Sequence, residues 1–442
     1  MDNSNEASFW QKNKLIIKSF FIAFLVLLLL IPTFIIMFLV NERKERKQEV
    51  TREIGNKWAG PQTLAGPYIS VPYTYTTNNN VQEKKILYLL PAQLNIKGIL
   101  DPSIRYRSIY KVPVYTAQPI VLKGKFAASN WTAGIEPSFV NWQEARLCIG
   151  VSDLKGLKSE TVLWNGTKLQ MQAGLPDTGI ADQGLSVPIA LDSSFINKEF
   201  DFSVSLVLQG SEKLYCLPMG ATTSVQLKST WTLPAFDGKY LPDSEKVNKQ
   251  GFEAQWQFAS FNRDFSQQFT NTGNSLTAVR ASALGVILLS PVDAYGQTMR
   301  SLKYAILIIA LSFFALFFTE IFQKRNVHPL QYILIGMALV LFYTLLLSIS
   351  EYIAFPIAYL TAAAATVCLL AWYTHSIFRK LGTTVIFGVL LSTLYLFIYI
   401  LIQMEDNALL FGSIGLFVLL ATTMYLSRKV DWYGLDTKNR LS

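Results

Sequence analysis

The sequence predicts a polytopic α-helical membrane protein with six transmembrane helices and a large, mostly antiparallel β extracytoplasmic domain inserted between helices 1 and 2. Charged residues make up only 16% of the 442 residues, whereas an ordinary soluble domain contains roughly 25%. Apolar residues make up 51% and are concentrated in runs long enough to cross a bilayer as helices. Between the first and second runs, apolar and polar residues alternate, which is typical of β-strands. These features exclude a soluble globular enzyme and a disordered chain.

Residues 1–18 are expected to form a cytoplasmic tail, and residues 19–40 the first transmembrane helix. The run contains no charged residue and follows Lys12, Lys14 and Lys18. A cleaved signal peptide is the alternative, but its apolar region is typically about 7–15 residues long and ends in small residues. This run is longer, and the highly charged segment 41–47 follows it. The pattern therefore favours an uncleaved anchor.

Five further apolar runs lie close together in the last third of the chain. Because connections of a few residues join only spatial neighbours, these runs are expected to form an antiparallel bundle over residues 302–427. The predicted helices are 302–322, 329–350, 352–374, 381–404 and 407–427, and residues 428–442 form a second cytoplasmic tail.

Basic residues occupy alternate loops of this bundle, which predicts its orientation. Positively charged residues are enriched in cytoplasmic loops. Both termini should then face the cytoplasm, and the segment between helices 1 and 2 should face outward. We attribute the net charge of +9 to this topology and expect no nucleic-acid partner. The residues concerned are Lys324, Arg325, His328, Arg379, Lys380, Arg428 and Lys429, whereas the other loops carry Glu351, Glu405 and Asp406.

The exported segment is expected to begin with a stalk helix over residues 41–60. Val50, Ile54 and Trp58 recur every four residues and so share one helix face, and Gly60-Pro61 ends the helix. Two interpretations stay open. The stalk is either solvated, or it docks on the exported domain or on a second copy of the chain.

Residues 61–301 are predicted to form a β-rich domain, as a sandwich or as stacked sheets. Phe202, Val204, Leu206 and Leu208 alternate with more polar neighbours, as in a strand with one buried face. Asn165-Gly166 lies between two such runs, and this dipeptide favours a type I′ hairpin turn. Frequent prolines argue against long helices.

Cys148 and Cys216 both lie in the exported segment. An oxidising compartment permits a disulfide between them, but both lie in strand-like apolar runs where a buried free thiol is common. The three cysteines form no C-x-x-C pair for zinc or redox chemistry.

Motifs for catalysis are lacking, and we expect no enzyme, no cofactor and no metal site. The two histidines, His328 and His375, fall on the cytoplasmic side, which excludes a histidine-dependent hydrolase in the exported domain and leaves a Ser-Lys pair open. The chain contains no G-x-S-x-G, H-E-x-x-H or Walker motif. The exported carboxylates are scattered singly.

The predicted spans carry ionisable residues only near their ends. Glu320 lies near the inner end of span two and Glu351 near the outer end of span three. Each either anchors a helix end, with Lys324 as a partner for Glu320, or forms a polar contact that locks the bundle or couples it to the exported domain. Several hydroxyls also lie in the spans, where close helix packing is the first interpretation. They belong to Ser348, Ser350, Thr361, Thr366, Thr383 and Thr384.

Several stretches of the chain resemble the CreD family of bacterial inner-membrane proteins. These stretches contain polar residues at fixed spacing within apolar runs that are otherwise unspecific. The family has characteristic residues at the positions of Lys303, His328, Tyr332 and Glu351. The resemblance implies an envelope-stress protein of the Gram-negative inner membrane that belongs to a regulon driven by a two-component sensor. It also implies a link to envelope integrity, colicin tolerance and the β-lactam response. It implies no catalytic residues. The stretches are Gly60–Pro72, Lys303–Leu311, His328–Gly336, Leu341–Glu351 and Asp431–Tyr433.

Three functional hypotheses follow. The first is a non-enzymatic envelope protein whose periplasmic domain binds an unknown periplasmic protein or envelope polymer, with homo-oligomerisation left open. The second is a transport or channel component in which that domain gates the bundle; the absence of charge in the middle of the spans weakens it. The third is a membrane-bound Ser-Lys hydrolase, which needs the two side chains within hydrogen-bond distance.

Overall fold

The computed structural model describes residues 14–76, 82–127, 135–271, 274–288, 293–323, 325–404 and 408–428. The chain divides into two compact units. The membrane unit comprises residues 1–46 and 292–442, and the β unit comprises residues 47–291. Most of both predicted tails, together with Lys324, Glu405, Asp406 and Lys429, lies outside the described residues.

The first element is one long helix, α1 (Lys14–Trp58). The predicted span 19–40 and most of the predicted stalk 41–60 are parts of this helix. It stops before Pro61, whose ring fixes φ and whose missing N–H cannot continue the hydrogen-bond ladder. Residues up to Arg46 belong to the membrane unit and those from Lys47 to the β unit.

The β unit follows α1 and consists almost entirely of strands with short connections. Besides the strands, its described residues include the short helix α2 (Ser275–Ala281) between the last two strands. The strands are β1 (Gln62–Thr76), β2 (Gln82–Leu89), β3 (Gln93–Arg107), β4 (Tyr110–Ala127), β5 (Arg146–Val151), β6 (Leu157–Trp164), β7 (Thr167–Leu169), β8 (Gln172–Ala173), β9 (Gly184–Pro188), β10 (Glu199–Ser211), β11 (Lys213–Cys216), β12 (Thr222–Ser229), β13 (Pro234–Gly238), β14 (Ser244–Asn248), β15 (Gly251–Ala259), β16 (Gln268–Thr270) and β17 (Leu284–Leu288).

These strands form two sheets. In the first, β13, β17, β11, β1, β5, β9 and β8 lie side by side, with β2 beside β1 and β16 beside β2. In the second the order is β14, β15, β12, β3, β4, β10, β6, β7. Among the described pairs only β1 with β11 and β3 with β12 are parallel, so the predicted mostly antiparallel domain is confirmed.

The buried faces of the two sheets share one hydrophobic core, as expected of packed β layers. Ile69 of β1 and Leu147 of β5 belong to the same buried cluster as Ile96 of β3 and Ile120 of β4. In β10 the buried positions are Phe202, Val204, Leu206 and Leu208, with the residues between them more exposed. The alternation in the sequence therefore identified the inward face of this strand.

The predicted hairpin at Asn165-Gly166 is also confirmed. The two residues connect β6 to β7 and have φ values of 47° and 77°. A type I′ turn needs positive φ at both central positions. Asparagine and glycine are the residues that adopt this conformation at the lowest cost.

We expect Gly166→Ala to lower the free energy of unfolding of the β unit by about 1 kcal/mol, because an L-residue in the left-handed region is strained. A Cβ at Gly166 meets nothing within 4 Å, so backbone strain is the whole effect. Denaturation of the full chain followed by tryptophan fluorescence measures it. Gly382→Ala is the control, because that site is helical and equally open. Equal losses in both variants would contradict the explanation.

The described helices of the membrane unit after residue 292 are six. Five described helices of the chain, α1 included, are long and apolar enough to cross a membrane, and α8 of the bundle follows them with a further apolar sequence. The helices are α3 (Ala294–Lys303), α4 (Ala305–Gln323), α5 (Pro329–Ser350), α6 (Phe355–Phe378), α7 (Leu381–Gln403) and α8 (Ala408–Ser427).

Helix α3 was not predicted. The predicted β domain extends to residue 301, whereas the membrane unit begins at Val292. Asp293 caps α3 by accepting from the Gly296 N–H at 3.1 Å, and the buried face includes Thr298 and Ser301. Because the helix has only 10 residues and two of its buried residues are polar, it contains no long apolar run of the kind that predicted the membrane helices.

Candidate functional site

Glu320 lies at the centre of a polar cluster at one end of the bundle, which we call the inner clamp after the side that the sequence predicts for it. The Glu320 carboxylate forms an ion pair with Lys18 of α1 and accepts from the Tyr332 hydroxyl at 2.9 Å and from the Val327 N–H at 3.1 Å. Lys18 also donates to the Val327 carbonyl at 2.9 Å. Glu320 is only 7% exposed, so three groups, the Lys18 amine, the Tyr332 hydroxyl and the Val327 N–H, together compensate its buried charge.

Glu351 forms the corresponding cluster at the other end of the bundle, the outer clamp. It follows the last residue of α5 and accepts from the Tyr295 hydroxyl of α3 at 3.1 Å. Arg43 of α1 places its Nε 3.9 Å from the same carboxylate oxygen. Because the Arg43 side chain is 47% exposed, this pair is weaker than the inner one.

Between the clamps, α1 packs against the bundle with a stripe of buried residues. Leu25, Leu29, Thr33, Ile36 and Val40 are each at most 5% exposed. They recur every three or four residues and so share one helix face. Gly336 of α5 faces this stripe, since a Cβ at that position would overlap Leu29 and lie 2.8 Å from Phe313 Cζ. The glycine is needed for close approach of the helices.

The two clamps lie about one membrane apart. Lys18 and Arg43 are separated by 25 residues of continuous helix, which corresponds to about 37 Å. The hydrocarbon core is about 30 Å thick. This separation matches two positions at opposite membrane interfaces, where charge is tolerated. Helix α1 contacts the bundle at Lys18, at Arg43 and along the residues between them.

The structure brings together some of the residues singled out from the sequence and separates others. Glu320 and Tyr332 meet directly, but Lys18 takes the place that was predicted for Lys324, which lies outside the described residues. His328 is exposed and caps α5, with its Nδ1 accepting from the Leu330 N–H at 3.2 Å. Lys303 is exposed at the end of α3 and forms no ion pair with a described residue.

Cys148 and Cys216 are both buried and unbonded. They lie on β5 and β11, on opposite sides of β1. Two strand spacings are about 9.6 Å, and Cα atoms more than about 7 Å apart cannot be bridged without backbone movement. Because one strand separates the two residues, this geometry favours the interpretation of two buried free thiols.

Burial raises the pKa of Cys216 to about 12 and that of Cys148 further, with Asp177 adding to the second shift. At pH 8 both are neutral thiols, and only the thiolate reacts. In a Cys368→Ser background, we expect a maleimide to leave both residues unlabelled in the folded chain. Both should react after denaturation. Fast labelling of either one before unfolding would contradict the described burial.

The stretch Gly60–Pro72 leads into β1, the first strand of the β unit, and contains a buried glutamine. Gln62 is fully buried. Its amide group donates to the carbonyls of Asp153 and Gln209 at 2.9 and 3.1 Å and accepts from the Asp153 N–H at 3.1 Å. Asp153 in turn accepts from the Gly60 N–H at 3.0 Å. This network fixes the point where the chain leaves α1.

No group of three or more metal-ligating residues occurs among the described residues. Within the described part of the β unit, no serine hydroxyl hydrogen-bonds to a lysine amine. The third hypothesis, a Ser-Lys hydrolase, therefore gains no support from this geometry.

We expect Tyr332→Phe to lower the free energy of unfolding of the membrane unit by about 1.5–3 kcal/mol, because a hydrogen bond to a buried carboxylate is lost. Tyr343→Phe is a matched control. Its hydroxyl is buried and has no hydrogen-bond partner among the described residues, so removing it should change the stability by less than about 0.5 kcal/mol. Unfolding in mixed micelles measures both. Similar losses would contradict the role of the inner clamp.

The apolar helices, the clamped anchor helix and the β unit are those of a multi-pass inner membrane protein. The chain belongs to the CreD family, whose model, described as Inner membrane protein CreD, matches residues 14–433. Inner membrane protein CreD of Escherichia coli (strain K12) is 32% identical over 422 residues, which is 93% of this chain and 92% of that protein. The resemblance inferred from the sequence is confirmed. CreD is not a known enzyme family.

Sequence reasoning missed four residues of the clamps and of the packing between them. Lys18 and Arg43 looked only like topology signals, and Tyr295 lay in a segment assigned to the β domain. Gly336 was part of a family stretch but had no assigned role. A glycine in an otherwise bulky apolar helix was the available signal for close packing.

Proposed function

We propose that the protein is a non-enzymatic envelope-integrity protein whose β unit lies in the periplasm and binds an envelope partner. The membrane unit anchors it, and α1 transmits binding from one unit to the other. The observation that carries this proposal is that one helix contributes to both units and is held in each by specific side-chain contacts.

Inside the β unit, one side of the last turns of α1 packs against the strands, which supports a docked stalk. Val50 is 2% exposed, the Arg105 guanidinium lies 4.4 Å from the centre of the Trp58 ring, and Arg107 pairs with Glu53. Gly55 faces Ser211, whose Oγ would lie 3.2 Å from a Cβ at that site. A load on the β unit therefore reaches α1 through packed contacts. The inner clamp, the outer clamp and Gly336 hold the other part of the helix.

The proposed topology has six spans, with α8 as the sixth, and both termini in the cytoplasm. It is supported by the charge of the described connections. Arg325 precedes α5, Arg379 and Lys380 separate α6 from α7, and Arg428 follows α8. Connections that alternate with these contain Glu351. Alkaline phosphatase fused after residue 150 should be active, and the same enzyme fused at the C-terminus should be inactive. The reverse result would contradict the proposed periplasmic location of the β unit.

Photocrosslinking in cells tests partner binding. A benzoylphenylalanine at Phe261, which is 86% exposed, should capture an envelope component. The same probe at lipid-facing Ile386, 69% exposed, should capture lipid only. Identical products at both sites would contradict binding by the β unit.

An activity assay tests the non-enzymatic part of the proposal. It would be refuted if the purified chain turned over an envelope substrate and lost this activity when one carboxylate of the β unit was changed.

A transport or channel component is the second candidate. Its support is that the hydroxyls of Ser312, Tyr343 and Tyr395 are buried without a hydrogen-bond partner among the described residues, as in a path that holds water. Against it, Ser350, Thr361 and Thr366 donate to carbonyls of their own helices, which is helix packing. Ion or solute flux in liposomes containing the purified chain would favour this candidate.

A further inference from the structure

A cavity of about 510 Å³ lies at the ends of the strands β3, β12 and β15 in the second sheet of the β unit. It extends to Asn262 of the turn that follows β15. Its polar lining residues are Gln93, Asn95, Thr222, Thr223, Ser224, Gln257 and Asn262.

Strand register places these residues in rows. Asn95 of β3 pairs with Ser224 of β12, and Ser224 pairs with Gln257 of β15. Cross-strand partners project from the same face of a sheet. The neighbouring positions along each strand, such as Leu94 and Val225, are buried in the core. The row Asn95, Ser224 and Gln257 therefore faces outward as a unit.

The chemistry of the lining is that of neutral hydrogen bonding. The amide groups of Gln93, Asn95 and Gln257 and the hydroxyl of Ser224 form no side-chain hydrogen bond with another described residue. Each amide offers both donors and an acceptor. No charged residue lines the cavity. Such a set fits a ligand that carries many hydroxyl and amide groups, and it fits neither an apolar peptide nor a polyanion such as nucleic acid.

Aromatic residues border the cavity at one end. Phe258 lines it and packs against Tyr240 with ring centres 4.9 Å apart. The Tyr240 hydroxyl donates to the Asn262 carbonyl at 2.6 Å. Phe261, which directly precedes the lining residue Asn262 in the chain, is 86% exposed. An exposed aromatic face next to neutral polar groups suits a ring with an apolar face and polar edges.

Two lysines continue the outward surface beyond the cavity. Lys123 of β4 pairs in register with Asn95, and Lys97 lies two residues further along β3. Neither forms an ion pair with a described residue, whereas Lys125 is paired with Glu199. From Gln257 to Lys123 the row crosses three strand spacings, about 14 Å. This surface complements a negative substituent at one side of an otherwise neutral ligand.

We propose that this cavity binds a glycan chain bearing carboxylate groups, with Asn95, Ser224 and Gln257 holding sugar hydroxyl and amide groups and Lys123 pairing with a carboxylate. The inference rests on the proposed function, because such chains meet the β unit only if it faces the envelope. It adds the chemical class of the partner.

Calorimetry with the purified full chain in detergent micelles tests the site. The probes are glycan strands of peptidoglycan freed of their peptides, which carry lactyl carboxylates, and chitohexaose as the neutral counterpart. Asn95→Ala with Gln257→Ala should weaken both probes at least about tenfold, through two lost hydrogen bonds. Lys123→Ala should weaken only the acidic strands, by about threefold.

Ser205→Ala and Lys158→Ala are the controls, since both lie on the same sheet outside the cavity. They should bind like the wild type, and unfolding curves verify that every variant folds. Absence of binding by either probe at millimolar concentration, or unchanged binding by the double variant, would overturn the site. Equal affinity for both probes would overturn the role of Lys123. The phosphatase fusions decide separately on the periplasmic location, so the two failures are distinguishable.

Discussion

Glu320→Leu is expected to lower the free energy of unfolding of the membrane unit by about 3–5 kcal/mol, because it leaves Lys18 buried without its partner. The Lys18 side chain is only 17% exposed, and the Val327 N–H and the Tyr332 hydroxyl would lose their acceptor at the same time. Unfolding in mixed micelles of increasing denaturing detergent measures the loss.

The double variant Lys18→Leu with Glu320→Leu separates an ion pair from general packing. Removing both charges should recover most of the stability, since replacing a whole buried pair by apolar residues is often neutral. Glu351→Leu is the control at the outer clamp and should cost less, about 2 kcal/mol, because it removes the hydrogen bond from Tyr295 but leaves Arg43 half exposed to solvent. If the double variant were as unstable as Glu320→Leu, the ion pair would not explain the effect.

Gly336→Leu is expected to detach α1 from the bundle and to cost about 3 kcal/mol or more. The new side chain would occupy the volume of Leu29 and press on Phe313, and overpacking of this kind displaces a helix or forces strained rotamers. In lipid there is little hydrophobic force to hold a displaced helix, so close packing is what keeps α1 in place. Detachment should appear as faster proteolysis at residues 41–47 and as lower stability in mixed micelles.

Leu29→Ala in the same chain should restore much of the loss, because it removes the overlapping side chain. Gly382→Leu is the control, since a Cβ there meets nothing within 4 Å. Rescue by a substitution more than three hundred residues away in the chain would be direct proof of contact. If Leu29→Ala did not restore the stability, and Gly382→Leu lowered it equally, the loss in Gly336→Leu would come from replacing a helical glycine and not from the contact with Leu29.

The parts of the fold that depend on local pattern could be predicted from the sequence. Apolar runs reveal membrane helices, period-two alternation revealed β10, and Asn165-Gly166 revealed the β6–β7 turn. Helix α3 escaped because Thr298 and Ser301, not apolar residues, form part of its buried face. Its start signal, Asp293 as N-cap, was present but too weak alone.

The parts that depend on long-range pairing could not be predicted. The partner of Glu320 was sought in its own loop, at Lys324, because neighbouring charges are the obvious candidates. The actual partner, Lys18, is set by the packing of α1. Likewise, the row Asn95, Ser224 and Gln257 exists only because β12 lies parallel to β3, and a parallel pairing leaves no turn signal in the sequence.

The inner clamp also sets an order of assembly during synthesis. Lys18 and Glu320 are 302 positions apart, and a ribosome adds about 5–20 residues each second, so about 15–60 s pass between their translation. During that interval the membrane part of α1 lies in the bilayer without the bundle. The entire β unit is translated before the helices of the bundle. The ion pair of the inner clamp therefore forms late in synthesis. Any factor that protects newly inserted helices has to bind α1 until Glu320 has been inserted.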